Sequence, residues 1–514
     1  MQKTNYSIAY NREFRSIRTG GHRSVSPISG EIMSTAPSTA TRFEKDSIGP
    51  KEIPANVYYG VQTARAVENY PISGMRAHPT LIRAIAMIKR AAAEANKELG
   101  LIDAKLGDAI IAAAQEVIDG RWDREFVVDV FQAGAGVSFH MNSNEVIANR
   151  AEEILGGRLG EYKRVHPNDH VNYGQSTNDV FPTAMRLAAL IELENLYPVL
   201  NAISGSFEKK GQEFWEVMKS GRTHMQDAVP IRLGQEFAAY AVAIRKAGEN
   251  IRRNSENLRE LGLGGSAVGT GINTHPDYRG LAIARLIRIS GQKLMPAIDM
   301  RWAMQSNAPM AEVSGALRNL ALEVIRISND VRLLSSGPNT GFAEIYLPAL
   351  QPGSSIMPGK INPVMPELAA MVSFQVIGND TAVALAVQGG QLELNVMMPT
   401  MTYSVLQSIT IMTNMLRQFD KFCISGITVN KDRCKFYAES TVSLATALNP
   451  YIGYQKAAEI VKESIATGRS IIEIARSKGL LKEEEIAEIL DPANMTEPQR
   501  PLDAAKQREA VKAR

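Results

Sequence analysis

Apolar residues recur at helical spacing along most of this chain. Leu81, Ile82, Ile85, Ile88 and Lys89 open an Ala-rich segment that predicts a helix to about Leu99. Stretches at roughly 179–218, 231–260, 310–335, 364–389 and 403–419 repeat apolar residues at i, i+3, i+4 and i+7. Several exceed 20 residues, against a usual helix of about 11–12. Long helices that are apolar on more than one face must be buried by other helices. A bundle packed against a partner chain's helices satisfies this, so an oligomer is expected. From about residue 433 the segments shorten. KGLLKEEEIAEIL predicts a small amphipathic helix whose acidic first turn suits the helix dipole.

The N-terminal part is different. Phe43 to Gly74, with Pro54, Tyr58, Tyr59 and Gly60, reads as irregular. Residues 1–41 are rich in Ser, Thr, Arg and Gly and carry no apolar period, so they read as a disordered tail. The tail is either an Arg- and Ser-rich transit peptide or the product of a start codon placed too early, with Met33 as the true start. The expected division is a tail over 1–41, an N-terminal domain over 42–175, a central helical bundle over 176–432 and a small helical domain over 433–514.

Composition narrows the classes. The chain has 514 residues, 45% hydrophobic and 22% charged, which is ordinary for a globular protein. No run of about 18 apolar residues stands out, so no membrane span is expected. Cys423 and Cys434 lack CxxC spacing, which implies neither a disulfide framework nor a zinc site and fits the cytoplasm. The net charge is +3, and residues 1–33 account for it, with Lys3, Arg12, Arg15, Arg18 and Arg23 against Glu13 and Glu31. The neutral remainder offers no electrostatic reason to bind nucleic acid or membrane.

Five blocks carry candidate chemistry. GSSIMPGKINPV, residues 353–364, is a Gly/Pro-broken loop. Its Lys360 and Asn362 supply a point charge and a directional donor for a carboxylate, and its serines sit on backbone that can move. It reads as a lid over an acidic substrate. VHPNDHVNYGQSTND, residues 165–179, places Ser176, Thr177 and Asn178 before a helix beginning near Asp179. Capping needs one such residue, and three consecutive ones suggest an anion site as well. GRTHMQDAVPIRLGQEF, residues 221–237, puts Thr223 and His224 in a loop before a helix starting near Pro230. In FQAGAGVSFHMNSNEV, residues 131–146, Asn142, Asn144 and Glu145 suggest polar contacts near a helix start. GQLELNVMMP, residues 390–399, places Glu393 and Asn395 inside a helical run, where they would hydrogen-bond across a helix or subunit contact. LGLGGSAVGTG, residues 261–271, lacks the GK[ST] ending of a phosphate loop, and close backbone approach explains its glycines better. With no HExxH, metal-ligand spacing or nucleotide loop, neither a metal nor a cofactor is expected.

In this order, the blocks resemble the aspartase/fumarase superfamily from about Phe43 to the end. The lid continues as NPVMPE, residues 362–367, where fumarases typically read NPTQCE, and the histidine loop reads THMQDAVP. Both details are closer to the ammonia-lyase branch. NPYIGY (449–454) and KGLL (478–481) are similar to the family's C-terminal domain. The resemblance implies a nearly all-α, three-domain homotetramer with a 20-helix core, whose active sites each draw on three chains. It implies Ser354 as general base, Lys360 and Asn362 as ligands of one substrate carboxylate, and Ser176, Thr177 and Asn178 as ligands of the other carboxylate and the amino group. Thr223 and His224 complete the pocket, with Glu367 paired to His224. His166, Asn168 and Asp169 match a second anion site described in fumarases. Two positions depart from the pattern: Val137 stands where the family usually has Thr, and His140 where it usually has Asn. The Thr hydroxyl normally helps to hold a substrate carboxylate. Losing a hydrogen bond to a charged group costs ~1.5–3 kcal/mol, or roughly 10- to 150-fold in affinity. Either His140 supplies another donor to substrate, or the pair marks a different amino-acid substrate.

The implied reaction eliminates ammonia from a small dicarboxylate, L-aspartate, to give fumarate. Removing the proton beside the β-carboxylate leaves a carbanion delocalised into an aci-carboxylate dianion, so the site must hold positive charge and donors there. A serine base acts as a transient alkoxide, which needs donors and dehydration on closure. The alternatives are a fumarate hydratase, which shares the carbanion, a lyase for another amino dicarboxylate, and a non-catalytic oligomer on the same fold.

Overall fold

The structure is a computed structural model that describes residues 40–498, so the expected tail lies outside the described residues except for its last two positions. The N-terminal region opens with a hairpin of β1 (Thr41–Lys45) and β2 (Pro50–Pro54), followed by α1 (Val61–Asn69), α2 (Pro79–Glu98), α3 (Ala104–Ile118) and α4 (Val137–Ile154). Next come α5 (Thr177–Glu213), a second hairpin of β3 (Met218–Thr223) and β4 (Gln226–Arg232), and α6 (Leu233–Ser255). Short parallel β5 (Glu260–Leu261) and β6 (Met295–Pro296) flank α7 (Tyr278–Ser290), and α8 (Met300–Gln305) leads into α9 (Ala308–Leu334). Then follow β7 (Ile345–Tyr346), α10 (Val364–Gln388), α11 (Met398–Phe422) and β8 (Thr428–Val429), which pairs with β7. The C-terminal part holds α12 (Lys431–Ser440), α13 (Asn449–Ile452), α14 (Tyr454–Thr467), α15 (Ile471–Lys478) and α16 (Glu483–Ile489).

The fold is nearly all-α. Five long helices pack in a closed circuit, α5 on α6, α6 on α9, α9 on α10, α10 on α11 and α11 on α5. One hydrophobic core runs from Leu81 to Cys434, and a second, small core gathers Leu444, Leu448, Ile460, Ile474 and Ile486. The expected acidic-first-turn helix is α16, with Glu483, Glu484 and Glu485 at its start.

Three expectations change. Residues 43–74 are not irregular, because they contain most of the first hairpin and α1. Helix α1 has no local side-chain cap. Most of its first N–H groups are instead met from 82 to 85 residues away in sequence, where Glu145 accepts from Gly60 N (2.9 Å), Gln62 N (2.8 Å), and the amide (3.1 Å) and hydroxyl (2.6 Å) of Thr63. A cap that distant leaves no local signature. Residues 390–399 interrupt rather than extend the helical run. Asn395 is buried there, donating to Ala386 O and Val387 O (both 3.0 Å) at the end of α10 and accepting from Met397 N (2.9 Å), whereas Glu393 is exposed. Finally, α10 does meet the length and composition of a membrane-crossing helix, although it lies between α9 and α11, and only 33% of its most apolar window is buried in this chain. Leu368, Met371, Phe374 and Leu385 stand exposed along it.

Candidate active site at the start of α5 and the 353–363 loop

Ser176 is the N-cap of α5. Its Oγ accepts from Asn178 N (3.2 Å), and its amide donates to Asp179 Oδ1 (2.8 Å) in a capping box. Asn178 donates to Ala267 O at 2.8 Å. The far side of the Asp179 carboxylate is held by the 261–271 loop, with Gly264 N at 2.9 Å and Ser266 N at 3.2 Å from Oδ2. The glycines of that loop therefore cradle an internal carboxylate by close backbone approach. At Gly269 (φ +85°) a Cβ would stand 2.7 Å from backbone atoms of Arg301. Burial pushes the Asp179 carboxyl up to about 6, against the lowering effect of its backbone donors and Lys89.

Thr177 meets α4. His140 Nδ1 lies 2.6 Å from Thr177 Oγ1, and His140 Nε2 lies 2.6 Å from Lys89 Nζ. Both ring nitrogens are engaged inside the chain and the imidazole is buried, so His140 reaches a ligand only through Thr177. Burial and the Lys89 charge hold its pKa well below the usual histidine range. Lys89 Nζ also donates to Asn172 Oδ1 and Gln175 Oε1, both at 2.9 Å. Sequence reasoning missed this lysine as a functional residue. The signal available was a cation four residues after Ile85 on the apolar stripe of α2. Val137, the other departure, is the first residue of α4 and is 41% exposed. Gly136 before it has φ +89°, and a Cβ there would collide with the Phe181 ring of α5.

The second group lies on the loop between β7 and α10. Ser354 Oγ accepts from Ile356 N (3.2 Å) and Met357 N (3.0 Å). The loop closes on itself through Gly353 N to Lys360 O (2.7 Å) and Asn362 Nδ2 to Gly353 O (2.6 Å). Lys360 and Asn362 line a cleft of about 800 Å³ together with Arg332 and Tyr346. Glu367 is half-buried in the first turn of α10.

The remaining candidates stand apart within one chain. Thr223 and His224 are exposed at the tip of the β3–β4 hairpin, not directly before the next helix, which starts at Leu233. His224 (φ 53°) and Met225 (φ 62°) form its two-residue turn, a left-handed conformation that non-glycine residues rarely adopt. Among the described residues no ion pair joins His224 to Glu367. His166 caps a turn by accepting from Asn168 N (3.2 Å) and Asp169 N (3.3 Å), and its ring lies 3.3 Å from the Asp169 carboxylate. His166 and Asn168 line a separate polar cleft of about 760 Å³ with Arg65, Glu145 and Tyr162. The cleft beside Lys360 is lined by none of Ser176, Thr177, Thr223 and His224.

Comparison with known proteins places the five-helix bundle and its loops in a family. A Lyase family profile matches residues 49–378, and a fumarase C C-terminus profile matches residues 444–497. Aspartate ammonia-lyases are similar over most of their length. That of a Bacillus sp is 49% identical, covering 90% of this chain and 98% of the relative, and that of Escherichia coli (strain K12) is 45% identical, covering 89% and 96%. Among solved structures, the fumarate lyase:delta crystallin from Brucella melitensis bound to cobalt has a TM-score of 0.87 at 47% identity, covering 89% of this chain and 100% of that one. The class II fumarase from Schistosoma mansoni has a TM-score of 0.87 at 37% identity, covering 90% and 100%. The chain belongs to the aspartase/fumarase superfamily of lyases.

Proposed function

We propose that this chain is an aspartate ammonia-lyase, converting L-aspartate reversibly to fumarate and ammonia. The observation that carries the reading is Ser354. Two backbone N–H groups already aim at its Oγ, which is the environment an alkoxide base needs. It sits on the same closed loop as Lys360 and Asn362. Ser354 takes the proton beside the β-carboxylate. The electron pair passes into that carboxylate, whose developing charge faces the Lys360 ammonium and the second N–H of the Asn362 amide. The C–N bond then breaks and ammonia leaves. Ser176, Thr177 and Asn178, at the positive end of α5, hold the other carboxylate and the amino group. Thr223 and His224, with Glu367, close the pocket.

These groups come from separate places in one chain, so the pocket is completed in a homotetramer. The exposed apolar residues of α10 supply a reason to associate, since a helix of this composition needs burial on more sides than α9 and α11 provide. Five bundle helices from each of four chains make the 20-helix core. The domains divide at 42–175, 176–432 and 433–514, and the enzyme works in the cytoplasm, which suits its two free, buried cysteines. His166 and Asn168, which line the Arg65 cleft, belong with Asp169 to a second anion site. A second reading, a lyase for another amino dicarboxylate, is favoured only by Val137 and His140.

The test is fumarate ultraviolet absorbance with aspartate, malate and a panel of amino dicarboxylates. Aspartate is expected to be the best substrate. No fumarate from aspartate, with turnover of another dicarboxylate, overturns the reading.

A further inference from the structure

We propose that Lys89 is a positioning residue: its ammonium fixes the direction of the hydrogen-bond chain through His140, so that Thr177 offers a proton, rather than a lone pair, to the substrate carboxylate. The proposal rests on the placement of Thr177 against a carboxylate in the ammonia-lyase reading.

The proton count around Lys89 Nζ sets the chain. Its partners are His140 Nε2 at 2.6 Å, Asn172 Oδ1 at 2.9 Å and Gln175 Oε1 at 2.9 Å. The two amides cannot turn round. Asn172 Nδ2 donates to Gln175 O (3.2 Å), and Gln175 Nε2 donates to Val171 O (3.1 Å) and Tyr173 O (3.2 Å), so both oxygens must face the lysine. An ammonium has three N–H groups for these three acceptors. Nε2 must then be bare, Nδ1 carries the imidazole proton, and it donates to Thr177 Oγ1 at 2.6 Å. The Thr177 hydroxyl proton is left free to point outward, beyond the N-cap of α5.

A neutral amine reverses every link. It has two N–H groups, which the two amide oxygens take, and one lone pair. His140 must then donate from Nε2 to that lone pair, and bare Nδ1 accepts the Thr177 proton. Thr177 now turns only lone pairs toward a carboxylate, which repels it. One proton on a lysine that touches no substrate thus decides whether Thr177 attracts or repels an anion.

The charge state is finely held. Lys89 is fully buried, which disfavours the ammonium, and only the nearby Asp179 carboxylate opposes this, so its pKa lies well below the ordinary lysine range. The titratable groups facing it are His140 on α4 and Asp179 on α5. Tyr278, at the start of α7, which also packs on α2, is buried within reach of the same Asp179 carboxylate.

The experiment measures succinate, a non-reacting dicarboxylate, by calorimetry across a rising pH series, alongside aspartate kinetics. In the wild type succinate affinity should fall as pH rises and the chain reverses. Lys89→Met should weaken succinate binding and raise KM by about 10- to 150-fold, the equivalent of one hydrogen bond to a charged group, with kcat nearly kept, because the contact serves ground and transition states alike. Lys89→Gln, whose amide can donate to Nε2 without a charge, should restore much of the affinity and lose the pH dependence. Thr177→Val, with Lys89 intact, should also lose the pH dependence, which keeps the test open if both Lys89 variants misfold. Succinate affinity flat with pH in the wild type, pH dependence surviving in Thr177→Val, or a Lys89→Met variant with wild-type KM overturns the proposal. Absence of fumarate from aspartate would remove the ammonia-lyase reading alone, since succinate binding still reports on Lys89.

Discussion

The start of α5 and the 353–363 loop carry two halves of one proposed site and are built in opposite ways. At the start of α5 the polar groups are oriented within the chain before any ligand arrives. Ser176 is spent on capping, Asn178 on Ala267, and Asp179 on three backbone N–H groups. The Ser176 hydroxyl proton, the second N–H of the Asn178 amide and, with His140 Nδ1 donating, the Thr177 hydroxyl proton are left to offer. The loop is half-buried to exposed and closed mainly by its own backbone. Its Ser354 gathers two amides, and its Lys360 lines an open cleft. A buried network fixes direction at the cost of mobility, whereas a surface loop can move over a substrate and exclude water. On the proposed mechanism, binding orientation belongs to the rigid half and proton abstraction to the loop.

That contrast breaks most severely at Ser354. Ser354→Ala should reduce turnover by about 10²- to 10⁴-fold, the range of a lost general base, with an unchanged melting temperature, because a loop hydroxyl contributes little to packing. Near-normal turnover would remove the base from this loop. Lys360→Ala should lower kcat/KM by about 10- to 150-fold, and Lys360→Arg should recover little of it, since a planar fork does not replace a point charge. Full activity in the arginine variant would place Lys360 outside the pocket.

Gly353→Ala tests the loop's closure without touching a reacting group. A Cβ there would stand 2.7 Å from Lys360 O and 2.9 Å from Asn362 N, so the loop must shift. The expected loss is on the order of tenfold in kcat, short of the ~10²-fold that a 1 Å misplacement can cost, with stability preserved. Unchanged kcat would mean that the loop's present shape is not its working one.

On the rigid half, Val137→Thr should alter aspartate kcat/KM by no more than a few-fold, because Val137 is already 41% exposed and nothing in the α5 network depends on it. His140→Asn should act more strongly, through Thr177. The two lie close enough to couple, so a double-mutant cycle is the right measure, with a coupling of about 0.5–3 kcal/mol expected if they share one ligand. A large gain on aspartate in the double variant would mark the wild type as an enzyme for another substrate. The smallest effect concerns the tail. A chain starting at Met33 should match the full chain in activity and melting temperature, and a clear loss of either would mean that the tail docks.

The sequence by itself determined the long helices and the break that makes residues 353–363 a loop. Helical periodicity over 20 or more residues survives any tertiary context, and Gly353, Pro358 and Gly359 break regular structure locally wherever they stand. For the same reason Ser176, three residues ahead of Asp179, was readable as a helix start. Tertiary structure alone decided what those groups face. Helix α1 was hidden because its cap, Glu145, comes from α4. The Gly-rich 261–271 loop has no visible purpose until Asp179 is placed inside it. His140 looked like a donor to substrate in the linear chain, and packing turned both of its nitrogens inward. Lys89 was masked by an apolar stripe that normally means core. Local pattern records how a segment folds with its own neighbours in sequence, whereas hydrogen bonds between α2, α4 and the start of α5 join residues 37 to 86 positions apart. No window of sequence contains both of their ends.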